Sequence, residues 1–251
     1  AYESMLSERV KLVGVVHVSN SVGTINPVRA MIALAHRFGA KVIVDGAQAL
    51  AHQKVNVREL DVDFYAMSGH KVYGPTGIGA LYGKRQLLES MPPYQAGGDM
   101  IRTVSFEKTT YNDLPNRFEP GTPNIAGAIG WAAALDFVEA VGIEAIGRHE
   151  RELTDYAQRR LSEIPGLKLV GTATEKAGIV AFTVDNIHPH DIGTVLDRSV
   201  IAIRAGHHCT MPLMQRFGLP ATVRASFAMY TSEQEVDALV AAVIQAKEIL
   251  G

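Results

Sequence analysis

Apolar residues come in short unbroken runs along the first part of this chain and in spaced stripes along the second. KLVGVVHVS (11–19) and KVIVD (41–45) are apolar and β-branched at nearly every position, the pattern of strands covered on both faces. Between them Asn26-Pro27 predicts an N-cap and a first-turn proline. Val28, Met31, Ile32 and Ala35 follow at helical spacing, and Gly39 closes the helix. Strand, helix and strand in this order predict a βαβ unit, and so a parallel sheet. DVDFYAMS (61–68) and GIGALYG (77–83) read as further strands, and a long helix carrying AGAIGWAAALDFVEAVG follows Thr122-Pro123-Asn124.

The grain changes near Ile143. A charged helix over 144–163 leads into the strands LKLVGT and GIVAFTVD, a helix at HDIGTVLDRS and the strand IAIRAG. VRASFAMY is a last strand and 233–249 a last helix. Ser232 and Glu235 form a capping box at its start, and Val236, Leu239, Val240, Val243 and Ile244 share one face. The chain thus divides into an α/β domain over 1–142, with a mostly parallel sheet, and a smaller α+β domain over 143–251. Ala1–Arg9 reads as the end of a helix already under way, so the larger domain is expected to be incomplete and the chain to be entered in its middle.

Composition narrows the partners. The 251 residues are 47% hydrophobic and 20% charged, the balance of a folded chain and not of a disordered one. With 24 basic against 26 acidic residues, the net charge of −2 leaves no footprint for nucleic acid or an anionic membrane surface, and neither is expected as a partner. The uncharged stretch Pro120–Leu135 is interrupted by Gly, Pro, Thr and Asn, too short and too polar to span a bilayer. A single cysteine excludes an internal disulfide framework and any CxxC pair. With no targeting pattern in view, a reducing compartment, the cytoplasm, is the expected location.

The chemistry gathers at strand ends. In an open parallel sheet, ligands collect at the carboxyl ends of the strands. The predicted strands place Asn20 after the first, Asp45 after the second, and Ser68-Gly69-His70-Lys71 after the third. A buried carboxylate and a buried ammonium are each costly unless compensated. Two readings are open. Asp45 and Lys71 compensate each other as a structural ion pair, or Lys71 forms a Schiff base with pyridoxal phosphate while Asp45 pairs with the pyridinium nitrogen. In the second reading the protonated ring is an electron sink for a carbanion at the substrate's Cα, and Ser68 and His70 donate to the phosphate.

Four segments sharpen this. VDGAQA (44–49), SGHKVYGPTGIG (68–79), RFEPGTPN (117–124) and RAGHHCTMP (204–212) together resemble the aminotransferase class V branch of fold-type I pyridoxal-phosphate enzymes. Within that branch they resemble the SUF-type (group II) cysteine desulfurases, relatives of the selenocysteine lyases. The likeness runs in order from Asn20 to the last helix. It implies a fold-type I protein in which 1–142 is the remainder of the cofactor-binding domain and 143–251 carries a catalytic cysteine loop. It also implies pyridoxal 5′-phosphate as cofactor, L-cysteine or L-selenocysteine as substrate, and L-alanine and an enzyme persulfide as products. A SUF-type sulfur-acceptor protein of iron–sulfur cluster assembly and a second copy of the chain, in a homodimer, are the implied partners.

By position, the resemblance makes Lys71 the Schiff-base lysine, Asp45 the pyridinium partner and Gln48 a donor to the cofactor's phenolic oxygen. Ser68 and His70 hold the phosphate, and Thr122 reaches the phosphate of the neighbouring subunit. Asn20 and Arg224 bind the substrate carboxylate, a bidentate task that suits a guanidinium fork. Arg204 lies beside the same pocket in the family; as a strand-end residue it reads equally well as a solvated arginine. In the family, a segment upstream of the position of Ala1 supplies the helix start that cups the phosphate and a ring that stacks on the pyridine.

Cys209 decides the subgroup. A lone cysteine is ordinarily a small buried hydrophobe, but this one sits among Gly206, His207, His208 and Thr210, in a polar loop. A free thiol is only ~3% thiolate at pH 7, and a protonated neighbouring histidine is expected to raise that fraction. The implied role is nucleophilic attack on the substrate's sulfur. A His-His-Cys zinc site is the rival reading, but three consecutive residues seldom converge on one ion, so no metal is expected. His17, inside an apolar strand, reads as a packed core histidine, and Gly97-Gly98 as a tight backbone approach. His188 and His190 flank Pro189 with no partner that the sequence names. Another class V enzyme with a bystander cysteine, or a non-catalytic piece of a desulfurase, are the alternatives.

Overall fold

In the computed structural model, which describes residues 1–251, strand β1 (Leu12–Val16) is followed by helix α1 (Val28–Arg37) and strand β2 (Lys41–Asp45). A single helical turn α2 (Val57–Leu60) precedes β3 (Phe64–Ser68) and β4 (Gly79–Gly83). These strands form a sheet in the order β1-β2-β3-β4. β2 and β3 are parallel, with Asp45 level with Ala66. β4 returns antiparallel, Ser68 opposite Gly79, because the connection through Gly69–Ile78 is too short for a crossover. The sheet is therefore mixed. Helix α3 (Arg85–Ser90), the antiparallel pair β5 (Ile101–Val104) and β6 (Thr109–Tyr111), and helix α4 (Ile125–Val141) follow. Val42 and Val44 of β2 and Tyr65 of β3 bury against Val28, Ile32 and Ala35 of α1.

Several expectations shift here. Asn26 does not cap α1; Pro27 occupies that position without a side-chain bond, and Asn26 Nδ2 donates to the Val16 carbonyl at 2.8 Å. Gly39 does close the helix, with φ +76° and its N–H on the His36 carbonyl. β1 alternates instead of being covered on both faces: Leu12 and Val16 are exposed, as are Leu81 of β4 and Ile129 and Phe137 of α4. α2, α3 and the β5–β6 pair have no counterpart in the periodicity. Gly97 does lie close to Pro120, 3.1 Å from where a Cβ would reach its side chain, whereas Gly98 has open space.

The second run of elements is helix α5 (Ile143–Ser162), strands β7 (Leu167–Val170) and β8 (Ile179–Val184), and helix α6 (Pro189–Arg198). Strand β9 (Arg204–Gly206), helix α7 (Met211–Phe217), strand β10 (Thr222–Ser226) and helix α8 (Glu233–Leu250) complete it. The sheet order is β7-β8-β10-β9, antiparallel throughout. Phe182 of β8 and Val223 of β10 pack with Leu153 and Leu161 of α5, Leu196 of α6 and Val240 of α8. The strand expected over IAIRAG shortens to its last three residues, and α7 is additional.

Two compact units result. One comprises Ala1–Val15, Pro27–Ala51 and Val55–Ala140, the other Val16–Asn26, His52–Lys54 and Val141–Gly251. A division at 142/143 leaves Val16–Asn26 and His52–Lys54 with the first domain, yet they group with the second. Ile25 N–H bonds the Glu175 carbonyl at 3.0 Å, Ala177 N–H bonds the Gly23 carbonyl at 2.9 Å, and His52 Nδ1 pairs with the buried Glu150 at 2.6 Å. No single helix is long and apolar enough to cross a membrane.

Candidate active site

In the first unit the parallel register brings the carboxyl ends of β2 and β3 to one edge, and both ends carry chemistry. Asp45 is exposed, and its Oδ1 accepts the Ala47 N–H at 2.9 Å. That bond turns the chain toward Gln48 and the short 3-10 turn Ala49–Ala51. Gly46 is required there, since a Cβ would lie 1.9 Å from the ring of Tyr65. Burial, and after it the Asp45 carboxylate, pushes the Tyr65 phenol well above its ordinary pKa.

Ser68 ends β3 and its Oγ lies 3.1 Å from His70 Nδ1. Lys71 follows on the 3-10 turn Gly69–Lys71, half-buried. Gly69 N–H bonds the Ile78 carbonyl and Gly74 N–H the Gly69 carbonyl, while a Cβ on Gly74 would stand 2.8 Å from the single tryptophan, Trp131. The lysine turn is thereby pressed between a backbone clasp and an indole. Asp45 is not buried and no ion pair joins it to Lys71, which removes the structural ion pair of the two readings. Thr122 is exposed ahead of α4, and no hydrogen bond links it to Ser68 or His70. Asn124, which the sequence marks only as a boundary, caps α4 through Gly127 N–H (2.9 Å) and donates to the Gly77 carbonyl (3.1 Å).

The second unit holds the other group. Arg224 of β10 pairs directly with Arg204 of β9, so the two guanidinium-bearing positions are cross-strand neighbours. Burial, and next the charge of Arg204, lowers the pKa of Arg224. Its Nη1 donates to the Asn20 carbonyl at 2.6 Å, and its buried Nε has no partner. Such a fork favours an incoming anion. Asn20 Nδ2 donates in turn to the His208 carbonyl at 2.8 Å.

Cys209 is exposed, in a loop as expected, and it and His208 are both left-handed, with φ +61° and +52°. Cys209 N–H bonds His207 Nδ1 at 3.2 Å, and Thr210 N–H bonds the His207 carbonyl at 2.8 Å. The expectation of a protonated histidine beside the thiol fails for His208. Its ring is buried, and burial followed by the Arg224 charge lowers its pKa to about 4, so it is uncharged at pH 7. The cation within reach is Arg204, whose Nη2 lies 4.0 Å from Cys209 Sγ. Arg204 is exposed, as a solvated strand-end arginine is, and its guanidinium faces the thiol.

The remaining histidines sort themselves. His17 is buried, accepts from Gln53 Nε2 at 2.8 Å, and is lowered to about 4 by burial, as a packed core histidine should be. His188 caps α6 by accepting the His190 N–H, and the two rings stack at 5.4 Å. No group of three or more His, Cys, Asp or Glu is disposed to hold a metal ion.

The sequence profile of the aminotransferase class V family matches residues 1–239. The chain is 53% identical over 249 residues to a cysteine desulfurase of Dickeya dadantii, covering 99% of this chain and 60% of the relative. It is 51% identical over 242 residues to a cysteine desulfurase of Synechococcus elongatus, covering 96% and 39%. The crystal structure of the cysteine desulfurase CsdA from Escherichia coli, in its S-sulfonic acid form, superposes with a TM-score of 0.95 at 41% identity, over 99% of this chain and 62% of that one. The chain therefore spans between 39% and 61% of the length of the curated relatives it matches.

Proposed function

This chain belongs to the aminotransferase class V family, and from that premise we propose that it acts as a pyridoxal-phosphate-dependent cysteine desulfurase, taking sulfur from L-cysteine and leaving L-alanine and a persulfide on Cys209. The observation that carries the reading is the Cys209 turn. The only thiol in the chain is exposed on a hydrogen-bonded turn, with the Arg204 guanidinium 4.0 Å from its sulfur.

The first unit's donor set suits the cofactor. An exposed carboxylate at Asp45, an amine at Lys71 without a carboxylate partner, and the Ser68 hydroxyl beside the His70 ring match a pyridine nitrogen, an aldehyde and a phosphate. When bound, pyridoxal phosphate supplies the electron sink for bond cleavage next to the substrate's Cα. Lys71 Nζ would anchor it, Asp45 would keep the ring nitrogen protonated, and Gln48 would donate to the phenolic oxygen. Ser68 and His70 would hold the phosphate, with Thr122 serving the phosphate of the neighbouring subunit in a homodimer.

The second unit's residues handle the substrate. Arg224 and Asn20 take the carboxylate, with Arg204 beside them. Cys209 Sγ, as thiolate, attacks the substrate's sulfur: an S–S bond forms, the C–S bond breaks, and the carbon takes its electron pair and a proton to become the methyl group of alanine. A SUF-type acceptor protein then removes the persulfide sulfur for iron–sulfur cluster assembly in the cytoplasm. L-Selenocysteine is a second substrate on the same reading.

Two measurements test it. Borohydride treatment of the cofactor-loaded protein should fix a pyridoxyl mass on the peptide containing Lys71, and label on another lysine overturns that assignment. Cys209→Ser should keep the label yet lose persulfide formation and alanine release from cysteine. Alanine release at the parent rate would make the thiol a bystander.

A further inference from the structure

The turn that carries the thiol is built in an unfavourable way. His208 and Cys209 are consecutive left-handed residues, and neither is a glycine. Histidine tolerates this region better than most side chains; cysteine has no such allowance. Such a turn persists only where its surroundings over-determine it.

Those surroundings converge on His208. Its Nε2 lies 2.9 Å from Thr222 Oγ1 and 3.2 Å from the Thr222 carbonyl. A carbonyl only accepts, so Nε2 holds the ring's proton and Nδ1 is the bare nitrogen, buried without a partner. A ring that leaves one nitrogen unsatisfied to reach β10 serves as an anchor, not as a proton carrier. At the residue's other end, the carbonyl accepts from Asn20 Nδ2 at 2.8 Å, and Asn20 is itself held by Arg224 Nη1 on its own carbonyl.

We propose that this clamp, with the imidazole on Thr222 and the carbonyl on Asn20, holds the Cys209 thiol in its left-handed turn, which makes His208 and Asn20 positioning residues for that thiol. An amide NH2 carries two hydrogens. Asn20 spends one on the His208 carbonyl and keeps the other for a ligand, so a single side chain serves both carboxylate and thiol. What the thiol does chemically rests on the proposed function; how it is held does not.

Hydrogen exchange of the protein without cofactor or substrate reads the clamp directly and is blind to desulfurase activity, so the two readings fail separately. The peptide covering His207–Thr210 should exchange about tenfold faster in Asn20→Ala and in His208→Ala, while the α8 peptide Glu233–Leu250 keeps its parent rate. His208→Gln, whose side-chain NH2 stands where the imidazole Nε2 did and can donate to Thr222, should restore protection to within about threefold. Should an alanine variant fail to fold, the nearly isosteric Asn20→Asp replaces the donor with an oxygen that repels the carbonyl, and the same acceleration is required of it. Parent-rate exchange in the loop, equal acceleration of α8, or no rescue by His208→Gln overturns the proposal.

Discussion

Arg204 places Nη2 within 4.0 Å of Cys209 Sγ. Both residues are exposed, so the attraction between guanidinium and thiolate works through solvent and is screened. Arg204→Gln should slow iodoacetamide alkylation of Cys209 at pH 7 by about two- to threefold, and the difference should shrink at high salt. Equal rates for parent and variant at low salt would detach Arg204 from the thiol.

His17 and His208 make stability depend on pH with a definite sign. Both are lowered to about 4 in the folded chain, whereas an unfolded histidine titrates near 6.5. Between those values the unfolded chain binds protons that the folded chain does not, so stability rises with pH through this window and levels off above it. Urea midpoints at pH 7.5, 5.5 and 4.5 should fall in that order. His17→Gln, which keeps an acceptor for Gln53, should flatten the slope.

Val200 is a β-branched residue at φ +60° and 90% exposed, sitting just past α6 with its N–H on the Asp197 carbonyl. A Cβ there costs about 1–2 kcal/mol, and glycine's added chain entropy costs about 0.5–1 kcal/mol. Val200→Gly should therefore stabilise the chain by about 0.5–1 kcal/mol in chemical denaturation. A destabilised variant would show that the valine makes a compensating contact.

Ser232 accepts the Glu235 N–H while the Glu235 carboxylate takes the Ser232 N–H at 2.7 Å, closing a capping box on α8. Ser232→Ala should cost about 1 kcal/mol, read as a lowered denaturation midpoint. Glu235→Ala should lose part of the same energy, because each residue satisfies the other's orphan N–H.

That box was legible because its grammar is local: two residue types at fixed spacing ahead of an apolar stripe. So were β2, read to the residue, and the place of the lysine turn directly after β3. Asn56 capping α2 through Arg58 and Glu59 N–H is equally local, but a single helical turn has no period to announce it. The β5–β6 pair turns through Ser105–Lys108 without a glycine or an Asn-Gly signal, so nothing separates it from loop. Asn20, Asp45, Ser68, His70 and Lys71 were marked by the predicted strand ends and the other candidates by motif resemblance, whereas their bonds were not legible in either. That the His208 ring is uncharged beside Cys209 is decided by its burial and then by Arg224 on a neighbouring strand, and no window of sequence holds these together.

The bond from Asn20 to the His208 carbonyl joins residues 188 positions apart. Closing so long a loop is entropically late work, done after local helices and the antiparallel sheet have made their nearer contacts. The thiol turn is therefore among the last features that folding can set. It cannot be moved to another scaffold as a short cassette, because the residue that fastens it lies 188 positions away along the chain.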